Sequence, residues 1–307
     1  MSSLKRTLAF LLIIGVLLLC VCCDKPEGES DFTDSLGRGV SLSGEPMRVA
    51  VLFSSLAEVW QLAGGEVSVS VGESVERGFC GAETPLVHSD SGGVGKSINT
   101  ELLLGERPDF VICTSDYPEQ VKLEKILESA GIPVAYFRLE SFDDYLYALK
   151  IMTNITGDSE AYERYGCAVL ARIEAILSDL PDSSPRVMFA RATKSSLKAK
   201  LRSDHFAANM LYELGAYNVA EDAAVLLDGV SIEALLTENP DFIFISLMGD
   251  AEGAVSYVEG LFERPEWREL DAVKNKRYIF LPKELFQYKP CASWDLAYQV
   301  LYDYLYE

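Results

Sequence analysis

The sequence is poor in the residues that build reactive centres. It carries two histidines, His88 and His205, and seven cysteines in 307 residues. Three cysteines crowd the N-terminus at Cys20, Cys22 and Cys23, and the other four, Cys80, Cys113, Cys167 and Cys291, are widely and irregularly spaced. No CxxC pair lies beyond the N-terminal group, so a zinc or iron–sulfur site is not expected. Two histidines are too few for a His-rich site that captures bare metal, although either suits a haem iron or a metal chelate. No Ser/His/Asp set stands out, which argues against an enzyme. Basic residues are scarce as well: 27 Lys and Arg face 47 Asp and Glu, a net charge of -20. Such a surface repels nucleic acid and anionic lipid, and its even spread reads as a solvated exterior. GGVGKS, residues 92–97, does not make a phosphate loop. The pattern GxxxxGK[ST] needs glycine where Asp90 stands, and no strand precedes it. Long apolar runs are missing except for residues 8–19, whose length is short for a bilayer-spanning helix.

That run shows where the protein goes. Lys5 and Arg6 precede it, and it ends in the three cysteines, followed by a polar tether, DKPEGES. A charged start, a short apolar core and a terminal cysteine resemble a bacterial lipoprotein signal, expected over residues 1–23. Cys23 is the favoured lipidation site, because the small Cys22 precedes it; Cys22 and Cys20 follow Val21 and Leu19 and are the alternatives. A plain cleaved signal and an uncleaved anchor are the remaining readings. All of them place the chain outside the cytoplasmic membrane.

The rest alternates between strand and helix. DFTDSLGRGVSL, residues 31–42, reads as a hairpin, and residues 24–45 as tether plus hairpin. Strands are expected at residues 48–53, 66–72, 109–114 and 134–139, with helices at 56–63, 98–105, 120–130 and 142–153. Ser54 and Ser55 are placed to cap the first helix. Residues 73–95 read as a long polar loop of the kind that is usually functional. After a break at residues 181–185 the pattern restarts. Strands are expected at 186–190, 242–247 and 278–281, with helices at 205–214, 232–236, 255–262 and 294–306. Between the halves lies SEAYERYGCAVLARIEAILSDL, residues 159–180. Tyr162, Tyr165, Val169, Ile173, Ile176, Leu177 and Leu180 recur at spacings of three and four and make one apolar stripe. As a single helix it runs about 33 Å, enough to touch two lobes. The expected fold class is α/β: two Rossmann-like lobes with mostly parallel sheets, residues 46–157 and 182–307. One long backbone helix, residues 158–181, joins them, and the ligand cleft lies between them.

An internal repeat supports that division. INTELLLGERPDFVI, residues 98–112, aligns without gaps with VSIEALLTENPDFIF, residues 230–244, and seven of the fifteen positions are identical. Each copy reads as a helix with an exposed glutamate in its first turn, a Pro-Asp break, then an apolar strand. A favourable helix dipole accounts for one such glutamate. The pair, Glu101 and Glu233, one per lobe, asks for more.

In that order the segments DFTDSLGRGVSL, RVAVLFSSLAEVWQLAG, INTELLLGERPDFVI, AGIPVAYF, SFDDYLYALKIMTNITG, LYELGAYNVAED, VSIEALLTENPDFIFI and WDLAYQVLYDYLY resemble substrate-binding lipoproteins of ABC importers. The type is the cobalamin and iron-siderophore class with a helical backbone between lobes. The resemblance spans residues 31–307. It implies a monomer, lipid-anchored to the membrane, that holds a metal chelate between rigid lobes and needs no resident cofactor. It also implies a permease dimer with its ATPase as partner, docked through Glu101 and Glu233 on arginine pockets, and only small lobe motions. A ferric siderophore is the favoured cargo, with haem and cobalamin as alternatives. A sensor lipoprotein without transport and a chelatase-like enzyme are the competing functions.

Candidate ligand residues follow from the rule that open α/β sheets bind beyond the carboxyl ends of their strands. That rule selects Ser54, Ser55, Tyr117, Arg138, Arg191 and Met248. The polar loop adds Arg77, Phe79 and Lys96. The basic segment at residues 194–205 adds Lys194 and His205, and the segment after Leu281 adds Phe286, Tyr288 and Lys289. Cations gathered at a cleft of an acidic protein suit an anionic chelate, and the aromatic rings suit its organic part.

Overall fold

A computed structural model describes residues 30–307 apart from 224 and 229. The expected signal peptide and the lipidation candidates Cys20, Cys22 and Cys23 lie outside the described residues. No helix of the described residues is long and apolar enough to cross a membrane.

The first lobe is built on a parallel sheet. Strands β1 (Phe32–Thr33) and β2 (Gly39–Val40) form the expected hairpin in front of it. Asp34 organises the turn: its carboxylate accepts from the backbone of Leu36 at 2.9 Å and of Arg38 at 3.1 Å. Strands β3 (Val49–Val51), β4 (Phe110–Thr114) and β5 (Val134–Phe137) lie side by side, all parallel. Every residue in them is buried, as expected of a sheet covered on both faces. The stretch after residue 66 contributes only bridges at Val69 and Ser70, not a full strand. The polar loop is more ordered than its composition suggests. It begins in a helix, Gly72–Glu76, and Asp90 ties down its far end by accepting from the backbone of Val94 and Ser97. The feature that imitates a phosphate cradle therefore already holds a carboxylate of its own chain.

The second lobe centres on β6 (Arg186–Thr193). Strand β7 (Ser196–Ala199) returns antiparallel from a two-residue turn, and β8 (Tyr217–Asn218) pairs parallel to the start of β6. Strands β9 (Phe242–Leu247) and β10 (Tyr278–Phe280) complete the order β10-β9-β6-β7. Strand β7 lies inside the basic segment at residues 194–205, where no strand is expected from the sequence. Its alternation is short: Leu197 and Ala199 are buried while Lys198 between them faces solvent.

The repeat is a local structural duplicate. Arg48 immediately precedes β3 and Arg186 opens β6, and each backbone amide donates to the Pro-Asp aspartate of its own copy, Asp109 and Asp241. Each guanidinium also pairs with the glutamate that ends the preceding helix, Glu106 or Glu238. Arg107 and Asn239, at matched positions, both take positive φ, 51° and 37°. One motif has been used twice to clamp a helix to the start of a strand.

Between the lobes the chain is helical from Ser159 to Ser178, started by the Asp158 carboxylate accepting from Ala161 at 3.0 Å. It is not one uniform α-helix: Glu163–Cys167 is a π-helical turn. The reason is a close approach by the helix Phe142–Thr156. A Cβ on Gly166 would meet the Leu146 side chain at 3.1 Å, and the buried Tyr145 hydroxyl donates to the Tyr165 carbonyl at 2.9 Å. The expected stripe holds: Val169 and Ile173 are buried, and the other five residues pack partly against them. At its far end Arg172 pairs with Asp295 on the closing helix Trp294–Tyr306. One apolar cluster runs through both lobes and this helix, including Trp60, Tyr145, Phe206 and Trp294. Trp294 stands edge-on to Phe142 of the first lobe at 6.2 Å and to Phe206 of the second at 5.5 Å. The lobes therefore share a core besides the bridge.

Candidate functional site

Three contacts show where the lobes face each other. All pair the segments after β3 and β5 with the segment after β10. The buried Cys291 thiol lies 3.6 Å from the Ser55 carbonyl, Arg77 stacks on Tyr288, and Glu140 forms an ion pair with Lys289.

Arg77 is the hub of the first-lobe side. Its guanidinium donates to Ser54 and Ser55 Oγ, both at 3.0 Å, and to Glu58 Oε2 at 2.8 Å. The same group lies over the rings of Phe79, at 4.6 Å, and Tyr288, at 4.2 Å. A planar cation accepts this sandwich because its faces are poorly hydrated while its edge carries the donors. Burial pushes the Glu58 carboxyl up from its ordinary range, although Arg77 works against it. Ser54 also bonds Glu73. The two serines are thus buried and committed to Arg77; neither caps its helix, Ser54–Leu62, whose N-cap is Phe53.

Arg77, Phe79, Tyr288 and Lys289 line one cavity of about 540 Å³ together with Glu58, Glu76 and Lys283. Lys283 lies 4.9 Å over the other candidate ring, Tyr288. Lys289 lies over Phe206 at 5.0 Å. Arg191 is half-buried near the end of β6; burial weakens its charge, while the carboxylates of Glu140 and Asp204 favour it. Among the described residues no carboxylate comes within ion-pairing distance of Arg191. Arg191 is not among the residues that line the cavity.

Other candidates take other places. Phe286 has no exposed surface and belongs to the shared core, because the short helix Lys283–Phe286 turns its last residue inward. His205 is 4 % exposed. Its Nδ1 accepts from the Ala207 amide at 3.1 Å as the N-cap of Phe206–Glu213, and its ring is packed between Phe189 and Phe206. Burial, then the cations Arg191, Lys289 and Lys200, hold it well below the ordinary histidine range, so it is neutral. His88 accepts from the Gly72 amide at 3.2 Å and braces the polar loop. Tyr117 meets Phe53 edge-on at 5.6 Å, and burial with Glu73 nearby pushes its hydroxyl up to about 12. Arg138, 3.7 Å from Asp144, is exposed, as are Lys96, Lys194 and Met248, and none of these four lines the cavity. Cys80, Cys113, Cys167 and Cys291 are all free, and burial raises the thiols of Cys113 and Cys291. Sequence reading, looking for cations, passed over Glu58 and Glu140. Glu140 lies just beyond the end of β5, where the carboxyl-end rule itself points.

Glu101 and Glu233 both stand exposed in the first turn of short helices, Thr100–Gly105 and Ile232–Glu238. Each helix is capped by a side chain, Asn99 on the Leu102 amide and Ser231 on the Ala234 amide. The glutamates are therefore not needed as caps.

A sequence profile described as periplasmic binding protein matches residues 49–285. No curated protein sequence matches. Among solved structures, an ABC transporter substrate-binding protein from Listeria monocytogenes EGD-e is similar over 85% of this chain and 99% of its own, with a TM-score of 0.68 at 19% identity. The Staphylococcus aureus SirA protein complexed with staphyloferrin B matches over 89% of this chain and 97% of its own, with a TM-score of 0.64 at 18% identity. S. aureus IsdE complexed with heme matches over 84% of this chain and 99% of its own, with a TM-score of 0.64 at 15% identity.

Proposed function

The chain belongs to the periplasmic binding protein family, and from that premise we propose that it captures an anionic metal chelate outside the cytoplasmic membrane and hands it to an ABC importer. The observation that carries this reading is the cation group at the cleft. Arg77, Lys283 and Lys289 line one cavity, and Arg191 is half-buried near the end of β6, in a chain whose net charge is -20. Cations gathered at a cavity of an acidic protein suit an incoming anion. The same cavity offers two aromatic rings for the organic part of the cargo. Proteins of this fold have been solved with staphyloferrin B and with heme, which supports a ferric siderophore first and haem second. Cobalamin is the third choice.

The transport role rests on Glu101 and Glu233, which would meet arginine pockets on the two permease subunits through charge-assisted hydrogen bonds. Anchoring rests on Cys23, with Cys22 and Cys20 as alternatives. The proposal is of binding without catalysis, in a monomer. Lobe boundaries follow at residues 46–157 and 182–307, with residues 158–181 as the bridge. The shared core and the bridging helix support a preformed cleft with small hinge motion.

The test is titration of the protein with ferric siderophores, haem and cobalamin, followed by tryptophan fluorescence. Trp294, between Phe142 and Phe206, reports on the lobe junction. Binding of an anionic chelate that weakens at least tenfold on Arg191→Ala is expected. Failure of every chelate to bind would return the sensor or enzyme readings to the front.

A further inference from the structure

The ion pair between Glu140 and Lys289 joins the two lobes directly across the cleft. Glu140 stands between β5 and the helix Phe142–Thr156, fixed by its own amide donating to Asp144 at 2.9 Å. Lys289 stands beyond β10, with a side chain only 12% exposed, against 30% for Glu140. Lys289 also lines the cavity that carries Phe79 and Tyr288. One internal anion thus neutralises a cation that the cavity presents.

We propose that Glu140 is a tethered competitor for the negative charge of the cargo, and so a specificity residue of the cleft. The proposal rests on the anionic-chelate reading above. A carboxylate held on the chain acts at an effective concentration of about millimolar or more, against cargo that is dilute. A chelate with free carboxylates takes over Lys289 and releases Glu140 to water. A neutral chelate has no charge to exchange, leaves the ion pair in place and is indifferent to it. No covalent step is involved; one anion exchanges for another.

The probes are haem, with two propionates, ferric citrate, and cyanocobalamin as a chelate neutral overall. Glu140→Gln keeps the shape and removes the competing charge. Its affinity for haem or ferric citrate is expected to tighten about fivefold, the worth of one partly exposed ion pair. Affinity for the neutral probe should stay within twofold. In a Lys289→Met background the same Glu140→Gln change should alter anion affinity less than twofold, because the contested cation is gone. Weaker anion binding by Glu140→Gln overturns the proposal, since it makes Glu140 a ligand contact; so does an equal gain in the Lys289→Met background. A double-mutant cycle on unfolding free energy, with no chelate present, separates the two readings. Coupling between Glu140 and Lys289 with no chelate bound by any variant sinks the chelate reading and the competitor role together, leaving a structural ion pair. Additive stabilities with intact chelate binding remove the competitor role alone.

Discussion

Replacing Arg77 by methionine is the sharpest perturbation of the cleft's framework. Arg77 holds Ser54, Ser55 and Glu58 and is sandwiched by Phe79 and Tyr288, with a side chain only 11% exposed. Methionine keeps most of the volume and the apolar stem. What it removes is the partner of Glu58, whose carboxyl burial already pushes up. Breaking a buried pair by deleting one member costs about 3–5 kcal/mol, and Glu58 keeps some contact with water, so about 3 kcal/mol is expected. For a chain of this size that lowers Tm by about 5 °C. The pH dependence follows from the sign. Without Arg77 the folded-state pKa of Glu58 rises further above its unfolded value, so the folded protein binds the extra proton. The destabilisation is therefore largest at neutral pH and shrinks as pH falls toward the ordinary glutamate range, about 4.3. Urea denaturation of wild type and Arg77→Met at pH 7 and pH 5 measures both quantities. Arg77→Met combined with Glu58→Gln should regain at least half of the loss at pH 7. A loss under 1 kcal/mol, or one that does not change with pH, would refute the argument that Arg77 exists to neutralise a buried carboxylate.

Other outcomes test other parts of the chain. Glu101→Ala with Glu233→Ala should abolish uptake in cells and leave chelate affinity unchanged by titration; surviving uptake would end the docking assignment. His205 is neutral when folded and takes a proton when unfolded, so the unfolded state binds more protons below about pH 6.5 and stability falls there by up to about 1.4 kcal/mol per pH unit. His205→Asn, which keeps a capping group, should flatten that part of the stability curve relative to wild type. Gly95→Ala should cost about 3 kcal/mol in urea melts, since its φ is +76° and a Cβ would come 2.5 Å from the Leu52 carbonyl oxygen.

Much of the architecture was legible because local periodicity and tertiary burial agree. The strand Phe242–Leu247 and the helix Trp294–Tyr306 fall where their apolar patterns put them. The repeat is legible because both lobes reuse one local device, the Pro-Asp clamp on Arg48 and Arg186. Strand β7 was missed because four residues of alternation are too few to outweigh a basic composition. The π turn was missed because it answers a neighbour, the helix carrying Tyr145 and Leu146, and leaves the stripe of the bridging helix almost unchanged.

The candidate site divides along the same line. Chain order alone put cations and rings beyond the strand ends, since that depends only on where strands stop. Which of them face the cleft depended on contacts between residues far apart in sequence. Phe286 and His205 carry suitable groups, but packing turned one into core and the other into a helix cap. Ser54 and Ser55 are bound by Arg77 from 22 or 23 residues away, and Lys289 by Glu140 from 149 away. By itself the sequence determined two matched α/β halves, the helix between them and the paired glutamates, because period and repetition are local properties. Only the tertiary structure decided which charges are already spent on one another, as those of Glu140 and Lys289 are, because pairing is settled by the folding of distant segments onto one another.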